Sequence, residues 1–273
     1  MTVIIPPPKI EFQSGFTLIE LSIVLVIIAL IIAGILVGQD MINAATVRAQ
    51  VAQIEKYNSA VHTFQTKFGA IPGDMPAATA SQFGFTQGLG CNGSFSQRDG
   101  NGLIDGNVSP NFYNQPTNET GLFWVDISAA NLIDGTFNSA DCAGNVTLTS
   151  TQVINYFPPA KIGYNNSVYV YETNGANWFG ILNITGASSG NITHVYNLPN
   201  ILAYNIDFKM DDGKPASGNV QAVLVQSSGV LGRNWSGTAG GSATSCYDTV
   251  TGNYTTAFGG GTGANCALSF KFQ

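Results

Sequence analysis

Glu20 is the only charge in the 22-residue run Phe16–Val37. A carboxylate among so many apolar side chains carries a desolvation cost unless a cation or an interface relieves it. At 1.5 Å per residue it lies about 6 Å along a helix begun at Phe16, close enough to the end to snorkel toward water. A helix start also carries a partial positive charge, which favours a carboxylate in the first turn. Gly15 precedes the run, where a residue without a side chain leaves the backbone open to close approach. The remaining reactive residues are sparse. Four cysteines, Cys91, Cys142, Cys246 and Cys266, form no C-x-x-C pair and all follow the apolar run. They suit two disulfides in an oxidising compartment, with Cys246–Cys266 and Cys91–Cys142 the favoured pairing of three, against four buried thiols. His62 and His194 have no neighbouring Ser, Cys or carboxylate pattern that forms a triad or metal site, so the chain reads as non-enzymatic.

Two acidic turns are candidates for ion chemistry. In Asp99-Gly100-Asn101-Gly102-Leu103-Ile104-Asp105-Gly106, oxygen-bearing residues alternate with glycine, as in part of an EF-hand calcium loop. Asp99, Asn101 and Asp105 are the candidate calcium ligands. Leu103 occupies a ligand place and the closing Glu is missing, so turn chemistry is the competing explanation. Asp211-Asp212-Gly213-Lys214-Pro215 is a weaker candidate, since paired Asp before Gly more often forms turns and caps.

The run Phe16–Val37 is long enough to cross a bilayer as a helix, which takes roughly 20 apolar residues. Beyond it Val47, Val51, Ile54, Tyr57, Val61, Phe64 and Phe68 recur at spacings of three and four, one apolar stripe of a helix. Gln50, Gln53, Lys56, Gln65 and Lys67 are expected on its other faces. Gly69, Pro72, Gly73 and Pro76 then stop it. A continuous helix from Phe16 to Phe68 spans about 80 Å. Downstream, 119–133 and 200–210 read as short helices. Segments 151–157, 168–173, 178–184, 220–226 and 267–272 read as strands, from their β-branched and aromatic residues. The class is α+β: a long N-terminal helix packed on an antiparallel sheet.

Composition narrows the function. Net charge is −6, and removing residues 1–15 takes one Lys and one Glu, leaving it unchanged. Charged residues are only 10% of the chain, with 32 glycines, so the surface is neutral, polar and rich in loops. Ten scattered Lys and Arg form no basic stripe, which argues against nucleic acid as a partner. Sequons such as those at Asn118, Asn183, Asn191 and Asn253 are expected by chance in a chain this rich in Asn and Thr. The N-terminus lacks the basic n-region and small-x-small site of a secretory signal peptide.

Gly15-Phe16-Thr17-Leu18-Ile19-Glu20 and the helix after it resemble the signature of type IV prepilins and type II secretion pseudopilins. The resemblance is specific over residues 14–37, diffuse over 38–76 and general beyond. It implies cleavage after Gly15 by a membrane-embedded prepilin peptidase, N-methylation of Phe16, and pairing of Glu20 with the freed amine of a neighbouring subunit. Its partners are then other pilin or pseudopilin subunits and, before assembly, the inner membrane. A disulfide-bounded C-terminal region and calcium in a head loop both occur in that family. Many filament-forming members have Pro where Val37 stands, and Phe16–Ile71 contains none.

The expected organisation is a leader over 1–15, a membrane or filament-core helix over 16–38, its amphipathic continuation over 39–68, and a periplasmic or extracellular head over 69–273. The expected function is a structural subunit of a type IV pilus or a pseudopilus, built by helix–helix packing. The alternative is a minor tip pilin whose head is an adhesin or surface-binding module.

Overall fold

The computed structural model describes residues 15, 17–85, 98–104, 118–140, 147–173, 175–188, 191–222, 245–248 and 250–272. The chain divides into two compact units between Ala44 and Ala45. Helix α1, Leu18–Phe68, contributes to both. Within the first unit its large apolar side chains are exposed on every side, from Leu18 through Leu25 and Ile31 to Val37. A helix apolar all round suits lipid or a protein partner rather than water. Among the described residues, α1 is the one helix long and apolar enough to cross a membrane.

The second unit is the head, and there α1 is one-sided. Val47, Val51, Ile54, Tyr57, Val61 and Phe64 of the expected stripe are all buried. Gln50 and Gln53 are buried too, which corrects their expected place on the polar faces. Their amides explain it: Gln50 Oε1 accepts from the Ile162 backbone N–H at 2.9 Å, and Gln53 Oε1 from that of Lys161 at 2.9 Å. Helix α2, Ala77–Gln82, and α3, Asn118–Ala129, follow. The chain then enters β1, Ser167–Thr173, and β2, Ala176–Ser188, joined as an antiparallel hairpin. Strand β3, Asn191–Val195, pairs with the later part of β2. After the short β4, Leu198–Pro199, comes α4, Asn200–Met210. Among the described residues, five short strands follow: β5 Val220–Ala222, β6 Tyr247–Asp248, β7 Asn253–Tyr254, β8 Ala264–Cys266 and β9 Leu268–Lys271.

The main sheet runs β1-β2-β9-β5 with β3 on β2, every pairing antiparallel. Tyr57 of α1, Phe123 and Trp124 of α3 and Phe179 of β2 meet with ring centroids 4.9–6.3 Å apart. That aromatic cluster locks helix to sheet, as such edge-on contacts add to the burial of large apolar area. Gly180 faces Tyr169 across the hairpin, and the tyrosine ring fills the space a side chain there would need.

Two expected elements change. Residues 151–157 form no strand: Val153–Asn155 is a 3-10 turn. Thr149 N–H and Oγ1 both donate to Gln152 Oε1, at 3.0 and 2.9 Å, and start that turn. The helix expected over 119–133 ends at Ala129. The segment expected over 220–226 is a strand through Ala222, and 223–226 lies outside the described residues.

Candidate functional site

At the start of α1, Thr17 and Glu20 bond reciprocally. The Thr17 backbone N–H and Oγ1 each donate to Glu20 Oε2 at 2.8 Å, and the Glu20 N–H donates to Thr17 Oγ1 at 3.3 Å. This is a capping box, in which a Thr before the first turn and a Glu three residues on satisfy each other's orphan backbone donors. The Thr-x-x-Glu spacing was present in the sequence and announces this role beside the expected amine pairing. Both side chains are exposed, and Oε1 of Glu20 makes no hydrogen bond within the described residues. The site therefore presents a carboxylate held at the helix start with one oxygen open. Phe16 and residues 1–14 lie outside the described residues, so Gly15 is the only part of the expected cleavage site described.

The second site is assembled from three distant segments of the head. Asp74, in the turn after α1, accepts from the Gly100 N–H through Oδ1 and the Gly102 N–H through Oδ2, both at 2.8 Å. Asp99 takes Asn101 N–H and Nδ2 on its own carboxylate at 3.0 and 3.1 Å, and its N–H reaches Glu119 Oε1 at 3.3 Å. Asn101 Oδ1 accepts from the Leu103 N–H at 2.7 Å. One carboxylate oxygen each from Asp74, Asp99 and Glu119 lies within 4.8 Å of the others, with Asp74 and Glu119 buried. These three are the side chains able to hold a cation here. Of the expected calcium set, Asp99 belongs to the cluster, Asn101 bonds within its own turn, and Asp105 lies outside the described residues. Asp74 and Glu119 escaped sequence reading because the turn joining them to Asp99 is visible only in the fold.

Electrostatics set the character of this cluster. Burial pushes the Asp74 carboxyl up to about 6; the Gly102 and Gly100 amides oppose that, and Asp99 adds to it. Beside it, Arg98 forks onto Asp126, Nη2 to Oδ1 at 2.6 Å and Nη1 to Oδ2 at 2.9 Å, with both side chains buried. The Gly73 N–H donates to the same Oδ2 at 2.8 Å. Gly73 has φ +89°, and an added Cβ would lie 2.5 Å from Glu119 O and 2.9 Å from Phe123 N. Only glycine lets this turn press against α3. The guanidinium fork, the glycine and the Asp74 bonds fix the 98–104 loop between α1 and α3.

The Asp211–Pro215 turn reads differently. Asp211 Oδ2 accepts from the backbone N–H groups of Asn219 and Val220, and Asp212 accepts from Lys214 N–H and Ser217 Oγ. Asp207 Oδ2 accepts from Tyr254 OH at 2.7 Å, while burial pushes this carboxyl up to about 6. These bonds close the end of α4, and one carboxylate oxygen each from Asp207, Asp211 and Asp212 lies within 4.8 Å of the others. Cys246 and Cys266 are disulfide-bonded, tying the C-terminal strands together; Cys91 and Cys142 lie outside the described residues. His62 is exposed on α1, and His194 Nε2 lies 3.1 Å from Tyr196 OH.

Residues 12–36 match the family model described as the prokaryotic N-terminal methylation motif, the type IV prepilin and pseudopilin signature. No curated protein and no solved structure matches the chain. The motif covers Gly15, Thr17 and Glu20, the residues at the helix start, and stops well before the head.

Proposed function

We propose that the chain is a structural subunit of a type IV pilus or a type II secretion-type pseudopilus, processed between Gly15 and Phe16 and methylated on Phe16. The observation that carries this reading is the methylation motif over 12–36, joined to a helix that exposes large apolar side chains on every side from Leu18 to Val37, with the capped carboxylate of Glu20 as the one charge in that run. Processing by prepilin peptidase and assembly with other pilins follow from the motif. The precursor is held in the inner membrane by α1 with its head in the periplasm. The assembled subunit lies in a periplasmic or extracellular filament.

Cleavage turns the Phe16 nitrogen into an ammonium adjacent to Thr17. Glu20 then has two tasks that do not compete for the same atom. Oε2 holds the Thr17 cap, and Oε1 accepts a charge-assisted bond from the ammonium of a neighbouring subunit. In lipid this pairing removes the cost of an isolated carboxylate, so subunits gain more from docking than apolar packing alone supplies. Calcium at Asp74, Asp99 and Glu119 belongs to the same proposal as a brace for the head. Glu20→Ala tests the pairing: it is processed normally, keeps its head fold and enters filaments poorly. Wild-type filament yield from Glu20→Ala contradicts it.

A further inference from the structure

Between the 3-10 turn and the later half of β2 the head has a cleft of about 350 Å³, at the small end of the roughly 300–1000 Å³ range of small-molecule sites. Its floor is apolar, formed by the buried Val153, Phe157 and Ile184. Its walls are amides and hydroxyls, Asn165, Asn183 and Ser150 among them, and none of the described lining residues is charged. The Asn165 and Asn183 side chains make no hydrogen bond within the described residues. Exposed apolar side chains flank these walls: Ile154 on the cleft itself, Tyr164 next to Asn165, and Val195 opposite Asn183 across the β2–β3 pair.

The lip of the cleft is strained. Tyr164 and Asn165 have successive φ values of +57° and +55°, a left-handed conformation that Tyr in particular disfavours. Four side-chain amides hold the loop in it. Gln50 and Gln53 of α1 take the Ile162 and Lys161 N–H groups from below, each at 2.9 Å. Asn166 Nδ2 donates to Gly163 O at 3.0 Å, and Asn197 Nδ2 to Tyr164 O at 2.6 Å. Strain that the surroundings over-determine marks a site whose shape matters. Here it holds Asn165 on the cleft wall with Tyr164 exposed beside it.

We propose that this cleft binds a neutral saccharide. A sugar ring offers an apolar C–H face for Ile154 and the floor. Its hydroxyls each need a donor and an acceptor, which one carboxamide supplies together. A phosphate, sulfate or carboxylate would meet no counter-ion among the described lining residues, and the backbone of β2 along Asn183–Ser188 pairs with β3 on one side and is bridged to Leu148 at Ala187 on the other, which leaves only a short edge for an added peptide strand. The proposal concerns the head alone and stands whether or not the chain enters a filament.

The test uses the full chain in a polyoxyethylene detergent, since glycoside detergents would compete. It is applied to an array of neutral, sialylated and sulfated glycans, and the neutral hits are followed with their methyl glycosides by saturation-transfer NMR. Neutral glycans are retained, and a single methyl glycoside binds with a dissociation constant in the millimolar range. Asn183→Ala weakens binding at least tenfold with an unchanged Tm. Tyr164→Gly, which relieves the left-handed strain, keeps the Tm and still weakens binding. Retention of no neutral glycan overturns the proposal, as does preference for the sulfated glycans or binding indifferent to both variants. So does self-association of the wild type that Ile154→Ser abolishes and saccharide leaves unchanged, which assigns the face to a second copy.

Discussion

Removing the carboxylate of Asp126 tests how the loop beside α3 is held. In Asp126→Ala the Arg98 guanidinium stays buried, its side chain 0% exposed, without the two bonds at 2.6 and 2.9 Å that oppose its charge. The Gly73 N–H loses its acceptor as well. Breaking one partner of a buried pair costs about 3–5 kcal/mol, against a total stability of about 5–15 kcal/mol for a domain of this kind. Arg98→Met/Asp126→Leu removes both charges and their desolvation cost together. It loses less than Asp126→Ala alone, and the coupling between the two sites is about 2 kcal/mol or more. The assay is urea unfolding of the full chain in detergent, followed by tryptophan fluorescence, since Trp124 is buried two residues from Asp126. An Asp126→Ala loss under about 1 kcal/mol, or a double variant as unstable as the sum of its parts, refutes the reasoning.

Other expectations follow from the same geometry. Cys246→Ser opens a bridge spanning 20 residues and costs roughly 3 kcal/mol in the chain-entropy account; an unchanged urea midpoint under oxidising conditions contradicts it. Asp74 and Asp207, both pushed up to about 6, take up protons more readily folded than unfolded. Their contribution is whole below about pH 4 and is lost as pH rises through about 6. In chelator, Asp74→Asn therefore loses less stability than wild type between those values, and equal losses contradict the burial argument. Calcium neutralises the Asp74–Asp99–Glu119 cluster and competes with protons, so it raises the Tm more at pH 7 than at pH 5. A Tm indifferent to calcium and chelator at pH 7 removes that site.

Periodicity made much of this fold legible. The stripe Val47–Phe64 and the helix Asn200–Met210 both stand where spacing puts them, because each buries one continuous face. Residues 151–157 misled because Val153 and Ile154 suit strands, while Thr149 and Gln152 carried the opposing signal of a capped turn. Gln50 and Gln53 read as solvent-facing because a buried glutamine is recognisable only by the backbone it serves, here more than a hundred residues away. The same distance hid the acidic cluster. Asp74 looked like a residue of a helix-stopping turn, and nothing local announces that Glu119 and Asp99 join it. Glu20 was legible as a feature but only half legible in role, since its bonds to Thr17 depend on where the helix begins.

The central claim concerns residues 15, 16 and 20, and the intact mass of the mature protein tests it most directly. The account predicts a chain that begins at N-methylated Phe16 and lacks residues 1–15. A retained leader, or a cut after the apolar run, contradicts it.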